Sequence, residues 1–225
     1  MFADRVSAGR DLGRRLAELG LGGSALVLGL PRGGVPVAGE VAAALDAPVD
    51  VLIVRKLGAP FNPELALGAI AYGGVTVYNE ELLRQLDLEE TALDSIRARE
   101  RKELERRERA YRGNRPPISV AGRTIVIVDD GMATGATMHA AVVATRALSP
   151  ARIVVAVPTA AIDAVQRLER VADQVVALAT PEPYYGVGTW YSDFPQLNDA
   201  EVIAALAAAG ERESNATRRR THDAT

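Results

Sequence analysis

Residues 124–137, reading Thr-Ile-Val-Ile-Val-Asp-Asp-Gly-Met-Ala-Thr-Gly-Ala-Thr, constrain the fold of this chain more than any other stretch. Five β-branched residues in a row, Thr124 to Val128, suit a short strand buried on both faces. Asp129 and Asp130 follow at its C-terminal tip, then a Gly/Thr turn, then the alanine-rich start of a helix. In that order the backbone N–H groups of the turn face the positive end of a helix and can hold a phosphate. The adjacent carboxylates can hold hydroxyls, a metal ion or both. The plain alternative, a strand–loop–helix unit with a solvated tip, leaves two adjacent like charges without a purpose.

The rest of the chain repeats the alternation. Asp4 caps a first helix to about Leu19, and Ala25–Gly29 reads as a buried strand. Gly33-Gly34 opens a helix over Val35–Leu45, with Pro36 in its first turn, and Val49–Val54 is the next strand. Leu67–Tyr72 and Val75–Tyr78 form a hairpin around Gly73-Gly74; Asn79 caps a helix to Leu86, and a charged helix spans Glu89–Arg112. After the 124–137 unit come helix Ala136–Leu148, strand Arg152–Val157, helix Ala161–Val171, strand Gln174–Leu178 and helix Asp199–Ala209. Strands alternating with helices predict an α/β fold, a doubly wound, mainly parallel sheet with its ligand at the carboxyl ends of the strands.

Composition narrows the classes. The 225 residues suit one generous domain, residues 1–210, plus a polar tail, 211–225, expected to be disordered. No apolar run approaches a membrane span, and Met1-Phe2-Ala3-Asp4-Arg5 lacks a signal peptide's apolar core. Without cysteine there is neither disulfide nor thiolate chemistry, and a cytoplasmic location is the expectation. A net charge of −3 argues against a globally basic nucleic-acid binder. Helix 89–112 interleaves Glu with Arg, as in the i,i+4 pairs Glu103/Arg107, Glu105/Arg109 and Glu108/Arg112, which suits a solvated helix better than one tracking phosphates. No Gly-Lys-Ser/Thr occurs; Gly20-Leu21-Gly22-Gly23 precedes a strand instead of following one, which excludes a dinucleotide fingerprint.

Asp129-Asp130-Gly131-Met132-Ala133-Thr134-Gly135-Ala136-Thr137 resembles the signature of the type I phosphoribosyltransferases at every constrained position. The resemblance implies that the chain binds phosphoribosyl pyrophosphate (PRPP) with Mg²⁺ and passes its ribose 5-phosphate to a nitrogen acceptor such as a nucleobase, releasing pyrophosphate. It also implies a homodimer. Asp129 and Asp130 would bind the ribose hydroxyls and the metal, and Ala133, Thr134, Gly135, Ala136 and Thr137 the 5′-phosphate. Arg32 and Gly33, after the first sheet strand, would bind pyrophosphate, with a cis peptide at Pro31–Arg32; Lys56 would reach the same group from the second strand. Asp129, Asp130, Arg32 and Lys56 are thus the expected catalytic set. As sequence alone, Arg32 also reads as a solvated helix start and Lys56 as a charged strand end.

The resemblance further places a flexible catalytic loop and helical insertion at 57–115, with Glu64 as a possible substrate contact, and a hood over the acceptor at 179–198. Half of the chain's aromatic side chains, Tyr184, Tyr185, Trp190, Tyr191 and Phe194, fall in that hood, within a Gly/Pro-rich string with no helical or strand period. Tyr185, Trp190 and Asp193 are the expected acceptor contacts; a packed C-terminal loop is the other reading. Ala133 stands where 6-oxopurine enzymes carry an acidic base, and one extra residue precedes Asp193, so hypoxanthine and guanine are not favoured. A regulator that senses PRPP or a nucleotide and binds nucleic acid or a protein is the alternative function.

Overall fold

The computed structural model describes all residues except 24, 72, 73, 87, 88, 114, 224 and 225, and leaves aside the side chains of 63, 64 and 213–223. Its parallel sheet contains β1 (Ala25–Gly29), β2 (Val49–Val51), β6 (Thr124–Val128), β7 (Arg152–Thr159) and β8 (Gln174–Ala179), in the order β2-β1-β6-β7-β8. Strands β3 (Val54–Ala59), β4 (Asn62–Ala71) and β5 (Val75–Tyr78) form a second, antiparallel sheet. The helices are α1 (Arg5–Glu18), α2 (Gly34–Leu45), α3 (Glu80–Leu86), α4 (Glu90–Arg112), α5 (Ala136–Arg146), α6 (Ile162–Leu168) and α7 (Asp199–Asp223).

Both faces of the parallel sheet are covered, which is why its strands read as unbroken apolar runs. The pleat sends alternate residues to opposite sides. Leu26, Leu28, Ile125, Ile127, Ile153, Val155 and Val157 pack against Met138, Ala141 and Val142 of α5 and Ala164 and Leu168 of α6. Val27, Val126, Val128, Val154 and Ala156 pack against Leu12 and Leu16 of α1 and Val37, Ala38 and Val41 of α2. The chain leaves β1 for β2 on one side and returns to β6 on the other, so the strand order reverses between β1 and β6. A crevice forms at that switch point, at the carboxyl ends of the strands.

The expected strand over 49–54 ends at Val51 instead. Leu52 N–H still donates to Gly29 O (2.9 Å), the last tie to β1, and Val54 already belongs to the second sheet. The stretch 57–64, expected to be an open loop, is a β3–β4 hairpin turning at Pro60-Phe61. Register shifts beside Gly58 absorb the residues that gave it a loop-like composition. Glu64 lies in β4, with its side chain outside the described residues. Tyr72 and Gly73 of the expected β4–β5 turn also lie outside them.

Helix α4 is less solvated than its charge suggests. Ile96, Glu100, Leu104, Tyr111 and Arg112 form a buried stripe against the second sheet, β2 and α7. Arg112 donates from Nε to both Asp50 oxygens (3.0 and 2.9 Å) and from Nη2 to Val51 O (2.6 Å), while Glu108 pairs with its Nη1 at 3.0 Å. Helix α7 runs past the expected stop near Ala209 as far as Asp223, into the segment expected to be structureless.

Candidate active site

Two loops meet at the switch point. The first, after β1, is Leu30-Pro31-Arg32-Gly33, with the Pro31–Arg32 peptide cis, as the family resemblance implied. The second follows β6 and carries Asp129 and Asp130. The loops approach so closely that a Cβ on Gly33 would stand 1.9 Å from Asp130 Oδ2. On Gly34 it would stand 2.6 Å from Val128 O and 2.8 Å from Asp129 Cα. Neither position tolerates a side chain where it stands.

The carboxylates are side by side but differ in environment. Asp129 Oδ1 accepts the Asp130 N–H at 2.9 Å. Burial, and then the neighbouring Asp130 charge, push the Asp129 carboxyl well above its usual range. Burial raises Asp130 too, but Arg5 opposes the shift: its Nε donates to Asp130 Oδ2 at 2.8 Å. Arg5 is itself held by an Nη1–H bond to Pro195 O (2.8 Å) and lies 3.8 Å over the Phe194 ring. Asp129 Oδ1 and Asp130 Oδ2 are engaged in these bonds. The two carboxyls also hydrogen-bond to each other, so a hydroxyl or a cation entering here would meet them as a pair.

Beyond the acids, the loop is pinned to β7: Met132 N–H donates to Thr159 O (2.9 Å) and Ala161 N–H to Met132 O (2.9 Å). Gly135, at φ +73°, turns the chain into α5, and Thr134 Oγ1 accepts the Ala136 N–H at 3.4 Å. Ala133, Thr134, Ala136 and Thr137 are exposed at the N-terminal end of α5, where the first amides have no helical partner. The loop therefore has the makings of an anion cradle.

The C-terminal segment after β8 folds onto this loop. Its short 3₁₀ turn, Val187–Trp190, seats Val187 so near Gly131 that a Cβ there would come within 2.4 Å of it. The Tyr191 hydroxyl donates to Asp130 O, and the Tyr191 ring packs on Phe194 (4.8 Å) and Phe2 (5.6 Å). Burial raises the Tyr191 phenol far beyond its ordinary value, so it serves as a neutral donor. Tyr184 stacks on Trp190 with centroids 6.3 Å apart. In this cluster Trp190 Nε1 is buried without a hydrogen-bond partner among the described residues, and the buried Tyr184 hydroxyl lies within reach of the Thr159 side chain.

The expected residues are therefore not all gathered. Asp129, Asp130, Gly33 and the 133–137 turn come together. Trp190 belongs to the covering aromatic cluster, whereas Tyr185 (80% exposed) and Asp193 stand open to solvent. Arg32 reaches from the crevice loop to the segment entering α7, donating to Leu197 O and lying 3.7 Å from Asp199 Oδ1. Lys56 is exposed on β3, while Arg55 beside it is drawn to Glu100 of α4 at 2.7 Å. Arg5, Thr159 and Tyr184 were not among the expected site residues. The one signal for Arg5 is its sign: a cation in the first turn of a helix opposes the helix dipole, which that turn has no acid to offset.

Comparison with known proteins agrees with this architecture. The sequence model of the phosphoribosyl transferase domain matches residues 60–187, from the β3–β4 turn to the start of the covering segment. Proteins of Mycobacterium tuberculosis strains CDC 1551 and H37Rv, both provisionally named phosphoribosyl transferases, are 50% identical over 209 residues. The match takes in 93% of this chain but 47% of each relative, so the chain spans about half their length. The crystal structure of TT1426 from Thermus thermophilus superposes with a TM-score of 0.84 at 47% identity, over 92% of this chain and 97% of that one. No helix among the described residues is long and apolar enough to cross a membrane. With a domain model matching more than half its length and relatives this similar, the chain belongs to the phosphoribosyl transferase family.

Proposed function

We propose that the chain transfers the ribose 5-phosphate of PRPP to a nitrogen acceptor, a nucleobase or a similar flat heterocycle, with release of pyrophosphate. The observation that carries this reading is the meeting of the two loops, in which Gly33 has no room for a Cβ beside Asp130. That contact brings the Arg32-Gly33 turn, the acid pair and the α5 N-terminus into one crevice. In the transfer, the acceptor nitrogen forms a bond to C1 of the ribose as the C1–O bond to pyrophosphate breaks. The pyrophosphate keeps the electron pair of the broken bond, and the proton lost by the acceptor nitrogen passes to the departing pyrophosphate or to water.

The residues divide this work by chemistry. The amides of 133–137 and the Thr134 and Thr137 hydroxyls anchor the 5′-phosphate, which takes the place of the Ala136–Thr134 bond. Asp129 and Asp130 accept the ribose hydroxyls and favour the cationic ribosyl centre that develops as the bond breaks. Arg32, exchanging Leu197 O and Asp199 for pyrophosphate, and Lys56, exposed on β3, neutralise the leaving group. The acid pair also fits Mg²⁺, which takes one or two carboxylates together with substrate phosphates; once bound, the ion would neutralise charge on the pyrophosphate. Trp190 and Tyr184 cover the acceptor. The unpartnered Trp190 Nε1, a donor, favours an acceptor that carries a hydrogen-bond-accepting atom on its edge.

The regulator reading is less well supported. The cations of α4 are largely spent on acids of the same helix: Arg97 on Asp94, and Arg106 and Arg107 on Glu103. A nucleic-acid partner would have to compete with them. The absence of cysteine supports a cytoplasmic enzyme, and the homodimer rests on the family resemblance alone. Pyrophosphate release from PRPP and Mg²⁺, measured across a panel of nucleobases and related heterocycles, tests the reading. Release with at least one acceptor is the expected result; binding of PRPP with no release for any acceptor would favour the sensor.

A further inference from the structure

A buried arginine 125 residues away in sequence from the acid it contacts calls for an explanation. Arg5 is 8% exposed, and its position in the first turn of α1 disfavours a cation. Helix capping does not require it, because Asp4 and Ser7 already form a capping box there. Its guanidinium is instead fixed in three directions: Nε to Asp130 Oδ2, Nη1 to Pro195 O, and one face over Phe194. Lysine has one nitrogen and no flat face, so it could not satisfy all three.

The residues before Arg5 are fastened to the same covering segment. Phe2 N–H donates to Trp190 O (2.8 Å), Ser192 N–H to Phe2 O (2.9 Å) and Asp193 N–H to Ala3 O (2.9 Å). The segment over the crevice therefore cannot shift without moving Phe2–Asp4 and, through Arg5, the Asp130 carboxylate. On the other side Asp130 Oδ2 occupies the space that a Gly33 side chain would fill.

We propose that Arg5 is a positioning residue for the transfer: it fixes the orientation of the Asp130 carboxylate towards the ribose hydroxyls and ties it to the segment that covers the acceptor. This rests on the function proposed above. Arg5 touches neither the transferred atoms nor the leaving group; it acts through Asp130.

A double-mutant cycle tests it, with PRPP affinity in Mg²⁺ read by calorimetry and folding checked by thermal melting. In the natural background Arg5→Gln should weaken PRPP binding about tenfold or more. In the Asp130→Asn background the same change should cost less than about threefold, because the group Arg5 positions is already lost. Arg5→Lys should recover part of the tenfold loss. If Arg5→Gln does not fold, Phe194→Leu, which leaves the charge and removes only the ring beneath it, carries the cycle with a smaller loss that again vanishes with Asp130→Asn. Equal losses in both backgrounds, or no loss in the natural one, would overturn the role of Arg5 while leaving the proposed function intact. Failure of the unmutated protein to bind PRPP would overturn the proposed function, and the role of Arg5 with it.

Discussion

Asp129 and Asp130 are chemically identical in sequence and unlike in place. Asp130 has a guanidinium beside it, whereas Asp129 has burial and a neighbouring negative charge. A carboxyl whose folded value lies above the usual 3.8 binds its proton more tightly in the native state than in the unfolded chain. Between the two values stability therefore falls as pH rises, and above both the full penalty remains. Asp129→Asn removes that penalty. Its melting temperature should match the natural protein's near pH 4 and exceed it increasingly at higher pH. At pH 7 the gap should be at least about 2–4 °C, the equivalent of about 1 kcal/mol in a domain of this size. A gap that shrinks with rising pH would contradict the assignment. The two crevice glycines make a second contrast. An added methyl on Gly33 meets the end of a side chain, but on Gly34 it meets backbone. Gly34→Ala should cost about 1–3 kcal/mol of stability, as overpacking does. Gly33→Ala should cost less stability yet weaken PRPP binding at least about tenfold by displacing Asp130. Urea denaturation and calorimetry on the pair would separate the two effects.

At the scale of elements, the parallel sheet was legible because its strands are buried on both faces and its helices carry their own signals: Asp4 before α1, Asn79 before α3, glycines at the α2 start. The acid pair and the turn into α5 were legible too, since strand, acids, glycine and hydroxyls are contiguous. What could not be read was set by tertiary contact. The hairpin β3–β4 contains Gly58, Pro60 and Pro63, which locally favour a loop, and pairing with β4 and cover from α4 decide otherwise. Arg5 is remote from Asp130 in sequence, and nothing local announces their contact. Tyr185 and Trp190 are indistinguishable in a string of aromatics, and only the fold turns one out and the other in. Arg112 illustrates the same limit within α4, where an i,i+4 partner, Glu108, masks its burial against Asp50. Arg112→Met should destabilise the protein by about 3–5 kcal/mol, because it removes the guanidinium that donates to both oxygens of the buried Asp50. A loss below about 1 kcal/mol in urea unfolding would show that solvent reaches Asp50 freely.

For the whole molecule, the two sheets have separate tasks. The parallel sheet builds the crevice at its switch point. The antiparallel sheet with α3 and α4 carries Lys56, and the N-terminus and C-terminal segment clasp each other over the acid pair. Calorimetric titration with PRPP in the presence of Mg²⁺ tests the proposed binding of PRPP in this crevice through Asp129 and Asp130. Saturable binding to the natural protein is expected, and a loss of at least about tenfold, roughly 1.4 kcal/mol, in the variant combining Asp129→Asn with Asp130→Asn. Equal affinity for the two proteins would contradict it.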